Sequence, residues 1–358
     1  MQRLNPVKDQ SIEGFNFVKN NLDLIRLFAA TQVVFVHTVS HLKLHHLDFI
    51  KHLGFLPGVP IFFFVSGFLI YRSYLKSASI FGYFQKRFLR IYPALWLCFF
   101  VSLVILFSTN FLNLSILGES HFWIWCLGQL SFVQFYNPDF LREFGVGVVN
   151  GSLWTIAVEL QFYAAVPILF LIINNYKKGW LFLIPLFFII NVIRNMLPEN
   201  NLLFNLFSIT FLPWFGMFLW GAYLSTSEYW LKKIVGVPWF ILIGLFFIIN
   251  IGLDWIGLEV AGNNINMLSF LVLSLLIVKV AYSKPDLSDK ILKGNDISYG
   301  IYIYHMLIVN VFVYYGFNGE SYLLIAVLLL TYICAIFSWF LLEKPVLAFK
   351  KNSMRSKL

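Results

Sequence analysis

Residues 86–112 read KRFLRIYPALWLCFFVSLVILFSTNFL, three cations within five residues followed by 22 residues without a charged side chain. An uncharged run of that length crosses the roughly 30 Å hydrocarbon core as a helix, since about 20 residues suffice at about 1.5 Å of rise each. The basic cluster before it suits an anchor against anionic headgroups. The same alternation of long apolar runs and short basic segments recurs along the chain. The runs lie at about 22–40, 55–71, 91–112, 153–174, 180–193, 203–225, 238–257, 264–282, 299–316 and 322–342.

Composition agrees with this pattern. Of 358 residues, 59% are hydrophobic, 19% aromatic and only 12% charged, where a soluble domain carries about 25%. So few charges cannot build a water-facing surface, so most of the surface faces lipid. Backbone groups in hydrocarbon must bond within their own segment, which makes the runs helices. The expected fold is all-α, a polytopic transmembrane bundle of about ten spans forming one integral-membrane domain over residues 1–358. No second soluble domain is expected, and no internal repeat is visible. The first apolar run already holds Asp23 and Arg26 behind a polar, mixed-charge start, so it is expected to be an uncleaved first span.

Charge asymmetry orients the bundle. Of 26 Lys and Arg, only Lys43, Lys51, Arg142 and Arg194 fall on one side of a ten-span arrangement. Arg26 is inside a span, and the rest lie on the other side, from Arg3 and Lys8 to Lys357. Both termini are therefore expected in the cytoplasm, in the cell inner (plasma) membrane. His121–Tyr136, a short run interrupted by Gln129 and Gln134, would reverse this asymmetry if it crossed. It is expected to be re-entrant or interfacial. With the basic residues placed as anchors, the net charge of +9 calls for a lipid bilayer as partner and no nucleic acid. Cys98, Cys126 and Cys334 lie singly and match neither a metal site nor a disulfide framework. His41 and His45 have helical spacing but lack a further ligand, so no metal is expected.

Ionisable side chains inside a bilayer are costly, and each is a functional candidate. Asp23 and Arg26 stand three residues apart near the cytoplasmic start of the first run. His37 follows eleven residues after Arg26, on the same face and roughly 16 Å along the axis. A guanidinium there suits the phosphates of an anionic donor, and an imidazole can take a proton from a hydroxyl near neutral pH. A structural Arg–Asp pair and an interfacial histidine fit the same residues. Ser152, Thr155, Glu159 and Tyr163 form a polar stripe beside Trp154. Its carboxylate can orient a histidine, bind a sugar hydroxyl, pair with Arg26, or be satisfied structurally. Ser298, Tyr302 and His305 form another stripe. Around Pro60, between Gly58 and Gly67, a bent or broken helix is expected. Arg87, Arg90 and Tyr92 in the basic–aromatic cluster can grip a nucleotide phosphate or simply anchor the span.

These residues resemble the acyltransferase-3 family of bacterial membrane O-acyltransferases. The resemblance rests on Leu22-Asp23-Leu24-Ile25-Arg26 with His37, on Gly58-Val59-Pro60-Ile61-Phe62-Phe63 with Val65-Ser66-Gly67-Phe68, and on Arg87-Phe88-Leu89-Arg90-Ile91-Tyr92-Pro93. It continues in Ser152-Leu153-Trp154-Thr155 with Val158-Glu159-Leu160-Gln161-Phe162-Tyr163, in Ser298-Tyr299-Gly300-Ile301-Tyr302 with His305, and in Glu343-Lys344-Pro345. Leu24-Ile25 and Leu160 depart from residues common in relatives without removing a candidate catalytic group. The resemblance implies transfer of an acyl group, commonly acetyl, from acyl-CoA as co-substrate to a hydroxyl of a carbohydrate acceptor. That acceptor is a surface polysaccharide or its lipid-linked precursor. On this reading His37, Arg26 and Glu159 are catalytic, and Arg26, Arg87, Arg90 and Tyr92 bind the donor. Asp23, Ser152, Trp154, Tyr163, Tyr302 and His305 line the substrate site. A polysaccharide or lipid-linked sugar flippase is the alternative, because polar cavities within bundles also serve translocation.

Overall fold

The computed structural model describes residues 19–198 and 201–355. Of the cations used above to orient the bundle, Arg3, Lys8 and Lys357 lie outside the described residues. Among the described residues the regular structure is all helical, with no strand. Helices α1 (Leu22–His41), α2 (Gly58–Leu75), α3 (Ile80–Ser108), α4 (Ser120–Leu130) and α5 (Trp154–Asn175) come first. They are followed by α6 (Trp180–Met196), α7 (Leu202–Ser208), α8 (Leu212–Thr226), α9 (Glu228–Gly236) and α10 (Trp239–Trp255). The last five are α11 (Met267–Ser283), α12 (Leu287–Leu292), α13 (Ser298–Tyr314), α14 (Tyr322–Ser338) and α15 (Lys344–Arg355).

Seven helical stretches are long and apolar enough to cross a membrane, and the bent pair α9–α10 makes an eighth if it is one span. The other two expected runs fall on α11 and α13, apolar helices of 17 residues each. Most of α13 is buried, from Ser298 to Leu307 without interruption. A helix enclosed by protein need not match the lipid thickness, which accounts for the difference from the expected ten. The protein is thus an all-α, multi-pass membrane protein, and exposed side chains such as Phe240, Ile248 and Leu341 present its lipid-facing surface.

Two compact units divide the fold: residues up to Ala29 with Gly54–Phe84 and Val158–Gly294, and Ala30–Leu53 with Gln85–Ala157 and the residues from Asn295 onward. In the first unit α2 and α8 meet backbone to backbone. A Cβ on Gly67 would overlap the Phe218 carbonyl, and one on Gly221 the Phe64 carbonyl. Small residues at helix crossings let dispersion forces act where the hydrophobic effect between helices is absent. Pro60 does not break α2. It sits in the first turn, where its missing N–H has no partner to lose, and the helix runs on to Leu75. α9 is a short amphipathic helix set at 92° to α10, burying Leu231 and Ile234 and exposing Tyr229 and Trp230, as an interfacial helix does.

In the second unit α4 runs back along α3. Phe122 meets Phe107 and Trp125 meets Phe99. Trp96 Nε1 donates to the Leu130 carbonyl and Tyr92 Oη to that of Ser131, both at 2.9 Å. The chain then returns, with Phe140 against Trp125 and Phe144 against Phe111. Residues 120–131 therefore run back along α3, and the chain returns by Phe144 to the end of α3 from which it set out. The return is irregular backbone, and buried amides satisfy it. Gln134 donates to the Ser131 carbonyl and Asn137 to that of Gly147. Asn310 on α13 accepts from Val146 N and donates to the carbonyls of Val148 and Val149.

Replacing Gly67 or Gly221 by Leu forces two backbones apart, and overpacking of this kind costs about 1–3 kcal/mol or more. Thermal unfolding of detergent-extracted protein should show a lower midpoint for each. Gly244→Leu on α10, where nothing lies within 4 Å of a Cβ, should leave it unchanged.

Candidate active site

The catalytic candidate of α1 faces a second histidine. In the second unit His37 Nδ1 lies 3.0 Å from His305 Nε2, with ring centroids 5.2 Å apart. The other nitrogen of His305, Nδ1, is 2.7 Å from the Tyr302 carbonyl oxygen. His305 is fully buried, whereas His37 is only partly so. His37 Nε2 has no hydrogen-bond partner among the described residues, which leaves it open to a substrate. His41, one turn further on, presents its ring edge to His37 at 5.7 Å between centroids.

The residues that hold Tyr302 come from the start of α5. Thr155 Oγ1 donates to the Tyr302 hydroxyl at 2.8 Å, which in turn donates to the Ser152 carbonyl at 3.3 Å. Ser152 Oγ reaches the Tyr302 carbonyl at 3.2 Å and Asn150 Oδ1 at 2.8 Å. Asn150 anchors the segment by donating to the Ile303 carbonyl at 2.7 Å. Trp154 opens α5, partly exposed.

The polar stripe of α5 divides between the two units. In the first unit Glu159 Oε1 accepts from Tyr163 Oη at 2.6 Å and from Ser66 Oγ at 3.1 Å. Its Oε2 has no hydrogen-bond partner among the described residues. The Tyr163 carbonyl accepts from the Tyr83 hydroxyl, fixing the turn that carries the pair. A half-buried carboxylate with one free oxygen can take a hydrogen bond from a sugar hydroxyl or steady a developing cation. Asp23 and Arg26, at the other end of α1, approach to 3.8 Å. Their side chains are 50% and 20% exposed, so the guanidinium, with carboxylate support, sits near the start of the helix.

In the basic–aromatic cluster the structure separates three residues. Arg90 donates to Glu343 Oε2 at 2.9 Å and to Asp296 Oδ2 at 2.5 Å, and lies over the rings of Tyr299 and Trp339. Asp296 also accepts from the backbone N–H and hydroxyl of Ser298, at the start of α13. Arg90 is therefore a structural clamp joining α3 to both ends of the α13–α14 hairpin, and its charge is already neutralised by two carboxylates. Tyr92 likewise holds the end of α4 and stacks on Phe88 at 4.6 Å. Arg87 lies half-buried one turn before Arg90.

Of the outer histidines, His46 hydrogen-bonds Ser321 at 2.5 Å and His45 lies 3.8 Å from Asp48. Among the described residues no group of three His, Cys, Asp or Glu could hold a metal ion. The residues that the sequence did not single out are Asn150, Asp296 and Asn310, with Ser66 as a partner of Glu159. Each is a polar residue in or beside an apolar run, which is the signal that could have found them.

The bundle of apolar helices thus carries a pair of histidines within its second unit. The family model described as an acyltransferase domain, acyltransferase-3, matches residues 19–343, and the chain belongs to that family. It is 31% identical to Nodulation protein 10 of Rhizobium leguminosarum bv. viciae over 95% of this chain and 96% of that one. It is 25% identical to the O-acetyl transferase of Shigella phage Sf6 over 92% and 96%. Over 38% of this chain and 23% of the other it is 28% identical to Peptidoglycan O-acetyltransferase OatA of Listeria monocytogenes serovar 1/2a. No solved structure matches.

Removing the Arg90 guanidinium strands the buried Glu343 carboxylate and the half-buried one of Asp296, at a cost of about 3–5 kcal/mol. Arg90→Ala should unfold well below the wild type, and Arg90→Lys in between, because one ammonium cannot reproduce the two-pronged geometry. An Arg90→Lys enzyme of unchanged stability with a raised KM for the acyl donor would return Arg90 to the donor site.

Proposed function

We propose that this acyltransferase moves an acyl group, acetyl in the simplest case, from acyl-CoA on the cytoplasmic side of the inner membrane to a hydroxyl of a cell-surface carbohydrate. The acceptor is an O-antigen, capsule or exopolysaccharide, or its lipid-linked precursor. The observation that carries the reading is the open Nε2 of His37, about three helical turns beyond Arg26 on one spanning helix. The relatives support an O-acetyl transfer, and the Listeria relative is named for a glycan acceptor.

In the proposed reaction, His37 Nε2 takes the proton of the acceptor hydroxyl as its oxygen attacks the thioester carbonyl carbon. The carbon–sulfur bond breaks, and the thiolate leaves with the proton returned from His37. Arg26 and Arg87 attract the donor phosphates, and Asp23 orients Arg26. Glu159 takes a hydrogen bond from the acceptor or steadies charge as it develops. Holding donor and acceptor together supplies about 7 kcal/mol at the low end for well-oriented pairs. General-base action adds roughly 10²–10⁴-fold.

Membranes incubated with radiolabelled acetyl-CoA should pass label into the polysaccharide fraction. His37→Ala should abolish this, at least about 10²-fold, with insertion into the membrane intact. Glu159→Gln should lower it while leaving the Tyr163 and Ser66 contacts possible. Equal label with wild type and His37→Ala, or none in either while a lipid-linked sugar still crosses the bilayer, would favour the flippase instead.

A further inference from the structure

We propose that His305 is a positioning residue that sets the tautomer of His37, so that the base always presents its lone pair at Nε2. This rests on the reading of His37 as the group that takes the acceptor proton.

The argument starts from a group that cannot titrate. The Tyr302 carbonyl can only accept, so at 2.7 Å the proton between it and His305 belongs to His305 Nδ1. A second proton on that ring would make a cation of a fully buried side chain whose hydrogen-bond partners among the described residues are backbone carbonyls and another imidazole. Burying such a charge unpaired is costly. His305 is therefore neutral, its Nε2 is an acceptor, and at 3.0 Å it accepts from His37 Nδ1–H. Neutral His37 then has its lone pair on Nε2, the nitrogen without a partner. The chain of three hydrogen-bonding groups fixes a polarity that neither histidine has alone.

That polarity also makes the pair a dead end for protons. Once His37 is protonated at Nε2, its Nδ1–H bond to His305 becomes charge-assisted and stronger. Passing the proton onward would bury the cation on His305, against a carbonyl that cannot relieve it. The proton stays on His37 and leaves through Nε2, to the departing thiolate. Attack by His37 itself on the acyl carbon would need the same lone pair, so His305 serves either course.

Ser152, Thr155 and Tyr302 gain a role from this. The Tyr302 carbonyl is held by Ser152 Oγ and the Tyr302 ring by Thr155, so these residues hold the relay's fixed end.

The test compares His305→Gln, His305→Asn and His305→Leu in the full-length membrane enzyme, with His37→Ala as reference, using acetyl-CoA and the polysaccharide fraction. A Gln amide offers an acceptor to His37 and a donor to the Tyr302 carbonyl, as the neutral ring does. Asn falls one carbon–carbon bond short, about 1.5 Å. His305→Gln should keep kcat within about tenfold of the wild type. His305→Asn and His305→Leu should lose about 10²–10⁴-fold, the scale of a misplaced tautomer in a histidine-dependent hydrolase, with KM for acetyl-CoA unchanged. Equal activity of the Gln and Asn variants would overturn the proposal, whether or not the Leu variant folds. A raised acceptor KM with kcat retained would also overturn it, making His305 a direct binding residue. Activity in His37→Ala would instead sink the base reading. Loss in His37→Ala beside full activity in His305→Leu would sink only the role of His305.

Discussion

Inside hydrocarbon a backbone amide or carbonyl has no water to bond, and leaving one unpaired costs several kcal/mol. Helices meet this constraint from within. The segment between α4 and α5 cannot, because it returns as turns and irregular chain. Its carbonyls and amides are met by Gln134, Asn137 and Asn310, and by Asn150 where it joins α5. Asn310 stands five residues beyond His305 on α13, and Asn150 grips the Ile303 carbonyl of that helix. The element that needs outside hydrogen bonds is thus tied to the helix that carries the buried histidine. The polar amides of this apolar unit are the condition for having an irregular segment there at all.

Charge is handled by the same logic. Arg90 has two carboxylate partners, which come from the start of α13 and from the π-helical turn Trp339–Glu343 after α14. A planar fork suits this because its two arms reach separate acceptors at once. The basic cluster therefore has a division of labour along one helix: Arg90 and Tyr92 hold structure, and Arg87 remains at the half-buried edge.

Catalysis in this reading needs little machinery but a definite polarity. A single imidazole on a helix can hold its proton on either nitrogen, and only one arrangement faces the substrate with a lone pair. A backbone carbonyl, being unable to give or keep a proton, is the firmest reference available for that choice. Its influence passes through His305 to His37 over two hydrogen bonds of ordinary length. The glycine contact between α2 and α8 performs the parallel service in the other unit, setting a close helix approach near Ser66 and hence near the carboxylate of Glu159.

Much of this was legible in the sequence because the period and length of apolar runs reflect local physics. Uninterrupted stretches such as Ile91–Leu112 are helices in lipid, and Gln129 and Gln134 marked the run that folds back along α3. The candidates His37, Glu159 and Arg26 were visible as charges where charges are expensive. Three matters were decided by tertiary structure alone. Pro60 begins a helix where a bend was expected, since position within a helix determines whether a missing N–H matters. The two carboxylate partners of Arg90, Asp296 and Glu343, are more than two hundred residues away in sequence. His305 turned from a lining residue to the neighbour of His37. A pairing across 268 residues depends on how helices pack, and no periodicity within either helix records it.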